Sequence, residues 1–263
     1  MDGAWHNDTW VQKEIKVKAN TLDSWCSENG VIIFEDCCES HGTVWNGNKI
    51  GTVGKASTFS FFYGHHMTTI EGGMICTNDD EFYERLLLLR SHGLLRELPE
   101  EKREKYKQEG VDQRFTFLCS GYNVRNTDLQ AVLGIEQIDR LEKSIHIRNK
   151  NFKTFVASID REKYYSDFVT DGTSLYAFPI ICKSVKPIDV KNALDANQIE
   201  NRPLIAGNLL KHPMLEKTDT FIFPMPDACK NANFIHNNSF YVGNNETINE
   251  QDVRKLTSIL NAL

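Results

Sequence analysis

The chain has 263 residues, 40% of them hydrophobic and 25% charged, a globular composition with room for one large or two modest cores. A formal net charge of -6 argues against nucleic acid as the main partner, because phosphate binding needs a basic face. The opening MDGAWHNDTW has no basic start leading into an apolar run, and no stretch reaches the length of a membrane span. A soluble, cytoplasmic protein with no membrane partner is expected.

Leu22 to Asn29 reads as the end of a helix closed by Gly30. Val31 to Phe34 is then a continuous apolar run ending in Glu35-Asp36, the rhythm of a parallel strand buried on both faces. Lys55 to Phe62 and Gly73 to Thr77 read as further strands. Asp79 to His92 reads as a helix with Phe82, Leu86 and Leu89 on one apolar face. The polar run Glu97 to Gln113 is expected to be an exposed loop or a solvated helix without chemistry.

Thr127 and Gln130 stand at capping-box spacing. Leu129, Leu133, Ile135, Ile138 and Leu141 carry an amphipathic helix from there toward Phe155. Beyond it the texture changes. Leu175 to Cys182 predicts a strand, Pro187 to Asn197 a helix opened by proline, Ile199 to Leu204 a strand and Asn249 to Leu263 a closing helix. The expected division falls inside the long helix, giving units 1–145 and 146–263.

Seven cysteines, an odd count with no CxxC pair, predict reduced thiols. Adjacent Cys37 and Cys38 would point to opposite faces of a strand, so no metal site is expected there.

Four segments carry the chemistry. They are Phe34 to Gly42 (FEDCCESHG), Gly51 to Gly54 (GTVG), Thr58 to Gly73 (TFSFFYGHHMTTIEGG) and Gly121 to Gln130 (GYNVRNTDLQ). Asp36 ends a strand, the usual place for ligands in an open parallel sheet, although an Asp there is also a common helix N-cap. Ser60 reads equally as a strand serine, and Asn123 as a turn residue after Gly121. The pair His65-His66 sits in a stretch without lysine. No Cys or His partners stand at zinc spacing around it, so a base near neutral pH is the better reading.

In this order, and with Glu200 to Pro203 and Gly207-Asn208 farther on, the segments resemble the DegT/DnrJ/EryC1/StrS family of sugar aminotransferases. The resemblance implies an α/β fold of the aspartate aminotransferase type (type I). A large domain with a parallel-rich sheet would be followed by a small α+β C-terminal domain. It implies pyridoxal 5'-phosphate or pyridoxamine 5'-phosphate as cofactor, with Asp36 on the ring nitrogen and Glu39 near the ring hydroxyl. Ser60 would bind the phosphate, and Asn123 would reach it from the partner of a homodimer. Family members carry a long stretch ahead of the part matched from Leu22. The large domain is therefore expected to be incomplete at its N-terminal side, with apolar surface uncovered.

His65 stands where the aminotransferases have the lysine that bonds to the cofactor. This substitution resembles the 3-dehydratase branch of the family. There a glutamate-type amino donor aminates the cofactor, and the histidine removes a proton on the way to losing the 3-hydroxyl of a nucleotide-linked 4-keto-6-deoxyhexose. One subgroup carries an iron–sulfur cluster on four cysteines after the histidine. Here only Cys76 and Cys119 lie between His65 and the GYN motif, so the cluster-free, GDP-sugar form is the closer likeness. A lysine-less aminotransferase relative, or an inactive remnant that binds a sugar nucleotide, stands as the alternative.

Overall fold

A computed structural model describes Cys26, residues 30–216 and residues 229–263. The expected helix end at Leu22 to Asn29 lies outside these residues except for Cys26. Gly30 takes φ +64, and the Val31 N–H donates to the Cys26 carbonyl at 2.8 Å.

The first sheet holds β1 (Phe34–Asp36), β4 (Ala56–Ser60) and β5 (Gly73–Thr77), in the order β1-β4-β5. A small antiparallel hairpin, β2 (Val44–Trp45) and β3 (Asn48–Lys49), lies between β1 and β4 in the chain. β1 runs parallel to β4, with Phe34 opposite Ala56 and Asp36 opposite Thr58, so both strands deliver their C-terminal residues to one edge. β5 returns antiparallel and matches its predicted bounds. The strand expected at Val31 to Phe34 instead begins at Phe34 and is not buried on both faces. Ile32 and Phe34 are 58% and 57% exposed, because β1 is an edge strand among the described residues.

The GTVG segment has a structural cause. The Glu35 carboxylate accepts N–H bonds from Gly51 at 2.7 Å, Val53 at 2.8 Å and Gly54 at 2.6 Å. Burial pulls the Glu35 pKa upward, but these three donors together outweigh it and hold the group below its ordinary value. Gly54 is required for the close approach, since a Cβ there would sit 2.6 Å from the Ile33 carbonyl oxygen. The loop is thereby tied to the start of β1 and fixes how β4 enters the sheet.

Helix α1 (Asp80–Arg90) starts on Asp79, whose Oδ1 accepts from the Phe82 N–H at 2.8 Å. None of its residues is fully buried; Phe82 meets Phe34 at 5.7 Å. The polar run after it forms only short helical turns at Glu100–Arg103, Glu104–Tyr106 and Gln113–Phe115. Helix α2 (Asp128–Ser158) opens with the predicted Thr127–Gln130 capping box. Its apolar face is uncovered, in line with the apolar surface expected to be left exposed in the large domain. Leu129, Leu133, Ile135 and Ile138 are exposed, and burial begins only at Ser144, because no described element packs on the first half.

The second half of α2 enters the main core. Phe152 and Phe155 pack with Phe178, Ile180, Val190, Leu194, Val253 and Leu260, all nearly solvent-free. Burying each such side chain is worth about 1.5–3 kcal/mol. Three antiparallel strands line this core in the order β6-β8-β7: β6 (Ala177–Ile181), β7 (Arg202–Pro203) and β8 (Ser239–Gly243). Helices α3 (Pro187–Ala196), α4 (Lys230–Asn238) and α5 (Glu250–Asn261) complete the unit. The strand expected at Ile199 to Leu204 shrinks to two residues, since Asn201 turns aside to donate to Asp195 at 2.8 Å.

All seven cysteines are free thiols; burial pushes Cys37 and Cys182 up to about 11, where they stay protonated. No helix among the described residues is long and apolar enough to cross a membrane.

Candidate functional site

A cleft of about 830 Å³ opens where the loops after β1 and β4 meet the C-terminal unit. Glu39 comes from the first loop, and Tyr63, His65 and His66 from the second. Arg148 of α2, Tyr176 before β6, Arg202 of β7 and Tyr241 of β8 form the far wall.

The two adjacent histidines have different fates. His66 is buried, and its Nε2 lies 2.7 Å from the Ser174 carbonyl. Burial first, then the nearby Arg148 charge, lowers its pKa to about 3, so the ring stays neutral and donates to that carbonyl. It clamps the loop to the C-terminal unit. His65 instead places Nε2 3.4 Å from Oε1 of Glu39, with its side chain 14% exposed. Phe62 and Tyr176 present ring edges to it at 5.5 and 6.0 Å. Of the pair, His65 is the ring beside a carboxylate in the cleft.

Asp36 sits at the C-terminal end of β1, exposed, with Oδ1 accepting from the Cys38 N–H at 3.2 Å and the Thr58 hydroxyl at 3.3 Å. The Cys38 thiol and N–H, then Thr58 and the nearby His65 charge, hold its pKa below the ordinary value against a small burial penalty. The group is therefore anionic near neutral pH. It caps the turn after β1, and its other oxygen stays available. Ser60 ends β4, and its hydroxyl accepts from the Phe62 N–H at 3.2 Å, turning the chain toward His65.

Glu39 and His65 thus share the cleft, while Asp36 and Ser60 flank it on the strand ends that carry those loops. Asn123 is apart. It is exposed, bridges by backbone to Ser91 and does not line the cleft.

Four cleft residues were not singled out as site residues from sequence: Tyr176, Tyr241, Arg148 and Asn244. The Tyr176 ring meets those of His65 at 6.0 Å and Tyr241 at 5.8 Å. Burial, and then the Glu39 charge, raises its pKa, so it keeps its proton. Arg148 is buried, donating to Ser144 Oγ at 3.2 Å and to the Asn244 carbonyl. Asn244 is fully buried and donates to the carbonyls of Arg148 and Leu175, both at 3.0 Å. No local pattern marks these four, because each acts through contacts distant in sequence. Arg202 lay in a segment singled out for its likeness to the family, with no role of its own; here it pairs with Glu200 at 2.8 Å.

The fold and cleft define a class: a sheet whose parallel strands end in an Asp, a Ser and a histidine loop, closed by a C-terminal α+β unit. The sequence matches the DegT/DnrJ/EryC1/StrS aminotransferase family over residues 17–261, and the chain belongs to that family. It is 35% identical over 238 residues to a GDP-4-keto-6-deoxy-D-mannose 3-dehydratase of Yersinia pseudotuberculosis, covering 88% of this chain and 60% of the relative. A crystal structure of GDP-4-keto-6-deoxymannose-3-dehydratase with a trapped PLP-glutamate geminal diamine superposes with a TM-score of 0.83 at 30% identity, over 92% of this chain and 64% of the other. The E. coli GDP-4-keto-6-deoxy-D-mannose-3-dehydratase with bound hydrated PLP gives 0.83 at 31%, over 92% and 63%. The chain spans about 60% of the length of these relatives.

The residues present fit a pyridoxal-type cofactor. Asp36 is an anion with a free oxygen at the sheet edge, the partner a protonated ring nitrogen needs. The buried Nδ1 of His65 meets no hydrogen-bond partner among the described residues, and no lysine stands between Thr58 and Gly73.

Proposed function

We propose that this chain supplies the cofactor-binding and base-bearing part of a pyridoxamine phosphate-dependent 3-dehydratase of a nucleotide-linked 4-keto-6-deoxyhexose. A GDP-linked sugar is the substrate and glutamate the amino donor. The observation that carries this is His65, set in the cleft against Glu39 in a loop with no lysine. When bound, the cofactor supplies an electron sink for charge developing on a neighbouring carbon.

Asp36 holds the ring-nitrogen end through its charge, and the Ser60 hydroxyl holds the phosphate end. His65 takes the proton from carbon as the base, a role open to imidazole near neutral pH and one that needs no bond to the cofactor. The functional division falls near residue 145. The unit before it carries Asp36, Ser60 and His65, and the unit after it carries Tyr176, Arg202 and Tyr241. A homodimer would bring a second copy's Asn123 toward the phosphate. The exposed Leu129, Val132, Ile135 and Ile138, spaced three apart along α2, support such an interface.

The test incubates the purified chain with PLP, glutamate and GDP-4-keto-6-deoxymannose. Release of ammonia with a 3-deoxy product is expected. An amino sugar in its place would make the chain an aminotransferase relative. Absence of any cofactor spectrum would leave a sugar-nucleotide-binding remnant.

A further inference from the structure

The two ring nitrogens of His65 have different surroundings. Nε2 lies 3.4 Å from the Glu39 carboxylate, while Nδ1 is buried without a partner among the described residues. An ionised carboxylate can only accept, so the nitrogen facing it carries the hydrogen. A buried N–H with no acceptor costs about 1–3 kcal/mol, whereas an under-satisfied buried acceptor is the commoner exception. Both observations place the proton of the neutral ring on Nε2 and the lone pair on Nδ1.

The Tyr176 ring stands in the same cleft wall, 6.0 Å from the His65 ring. Tyr176 is fixed: its carbonyl accepts from the Asn244 N–H at 2.7 Å, and its ring meets Tyr241 at 5.8 Å.

We propose that Glu39 is the positioning residue of His65, fixing the Nε2–H tautomer. The catalytic meaning rests on His65 being the base; the tautomer does not. An imidazolium formed at His65 would be stabilised by the adjacent Glu39 carboxylate.

The test is a long-range nitrogen–proton correlation spectrum of the full, cofactor-free chain with labelled histidine, at about pH 8 where a free imidazole is neutral. His65 is assigned by its loss in His65→Asn. An Nε2–H pattern is expected in the parent. Glu39→Ala should give a tautomer mixture, and Glu39→Gln should restore the Nε2–H form, since its amide oxygen still accepts. The buried His66 signal reports whether each variant is folded.

An Nδ1–H ring in the parent, or an unchanged Nε2–H pattern in folded Glu39→Ala, overturns the proposal. In the dehydration assay Glu39→Ala should lower kcat about 10²-fold, the scale of a misplaced group, with little change in KM and with recovery in Glu39→Gln. A parent with the expected tautomer but no dehydration sinks the proposed reaction and leaves this pairing standing.

Discussion

His66 lies with Nε2 2.7 Å from the Ser174 carbonyl, while its neighbour His65 turns to Glu39, so adjacent identical residues serve as clamp and cleft group. The clamp has a cost in acid. His66 and the buried His41 are lowered to about 3 and about 4 from 6.5, mainly by burial.

For both rings the folded state favours the neutral form. Between pH 6.5 and about 4 the unfolded chain binds more protons, so stability should fall as pH falls through that window. The slope is up to about 1.4 kcal/mol per pH unit for each ring. Urea midpoints measured from pH 7.5 to 4.5 should decline, and His66→Gln should flatten the decline. A midpoint independent of pH would contradict the burial of both rings. The lowered Glu35 and Asp36 add a loss at still lower pH, as their carboxylates protonate.

Removing the base separates chemistry from binding. His65→Asn should slow dehydration by about 10²–10⁴-fold with little change in cofactor affinity. Borohydride treatment of the cofactor-loaded parent should leave nothing covalently attached. His65→Lys should become labelled and shift residual turnover toward amination. Parent-like dehydration by His65→Asn would move the role to another residue.

Asp36→Asn should weaken cofactor binding without unfolding the chain, because the exposed side chain keeps one oxygen for the Cys38 N–H. Losing a hydrogen bond to a charged group costs about 1.5–3 kcal/mol, or about 10- to 100-fold in Kd. An absorbance titration with pyridoxal phosphate measures it. Unchanged affinity would leave Asp36 as a turn cap alone.

Glu35→Ala should destabilise the sheet by at least about 1.5 kcal/mol, since the Gly51, Val53 and Gly54 N–H groups lose one shared charged acceptor. Denaturant unfolding checks it. A variant as stable as the parent would show that water replaces the carboxylate freely.

The apolar stripe Leu129, Val132, Ile135 and Ile138 should drive self-association. Light scattering on the parent should give a mass above 30.1 kDa, and Val132→Lys with Ile135→Glu should bring it down to that of one chain. A monomeric parent would leave the stripe for another partner.

Much of the site could be read along the chain because it is local. Asp36 ends its strand, Glu39 lies three residues on, and the Thr127–Gln130 box needs only its own backbone turn. The strand at Gly73–Thr77 and the opening of α3 at Pro187 are equally short-range matters of propensity and proline geometry. The ordered motifs likewise pointed to the family from sequence alone.

Which histidine faces the cleft could not be read that way. His65 and His66 are the same residue in the same loop, and only Ser174, brought in from a distant segment, takes one of them away. Burial followed the same logic. Leu129 and Ile135 have the spacing of a core face, yet they are exposed because an amphipathic pattern states only that a face is apolar, not what covers it. Local order was decided by the sequence. Which rings and apolar faces are covered was decided by packing between segments that only the fold brings together.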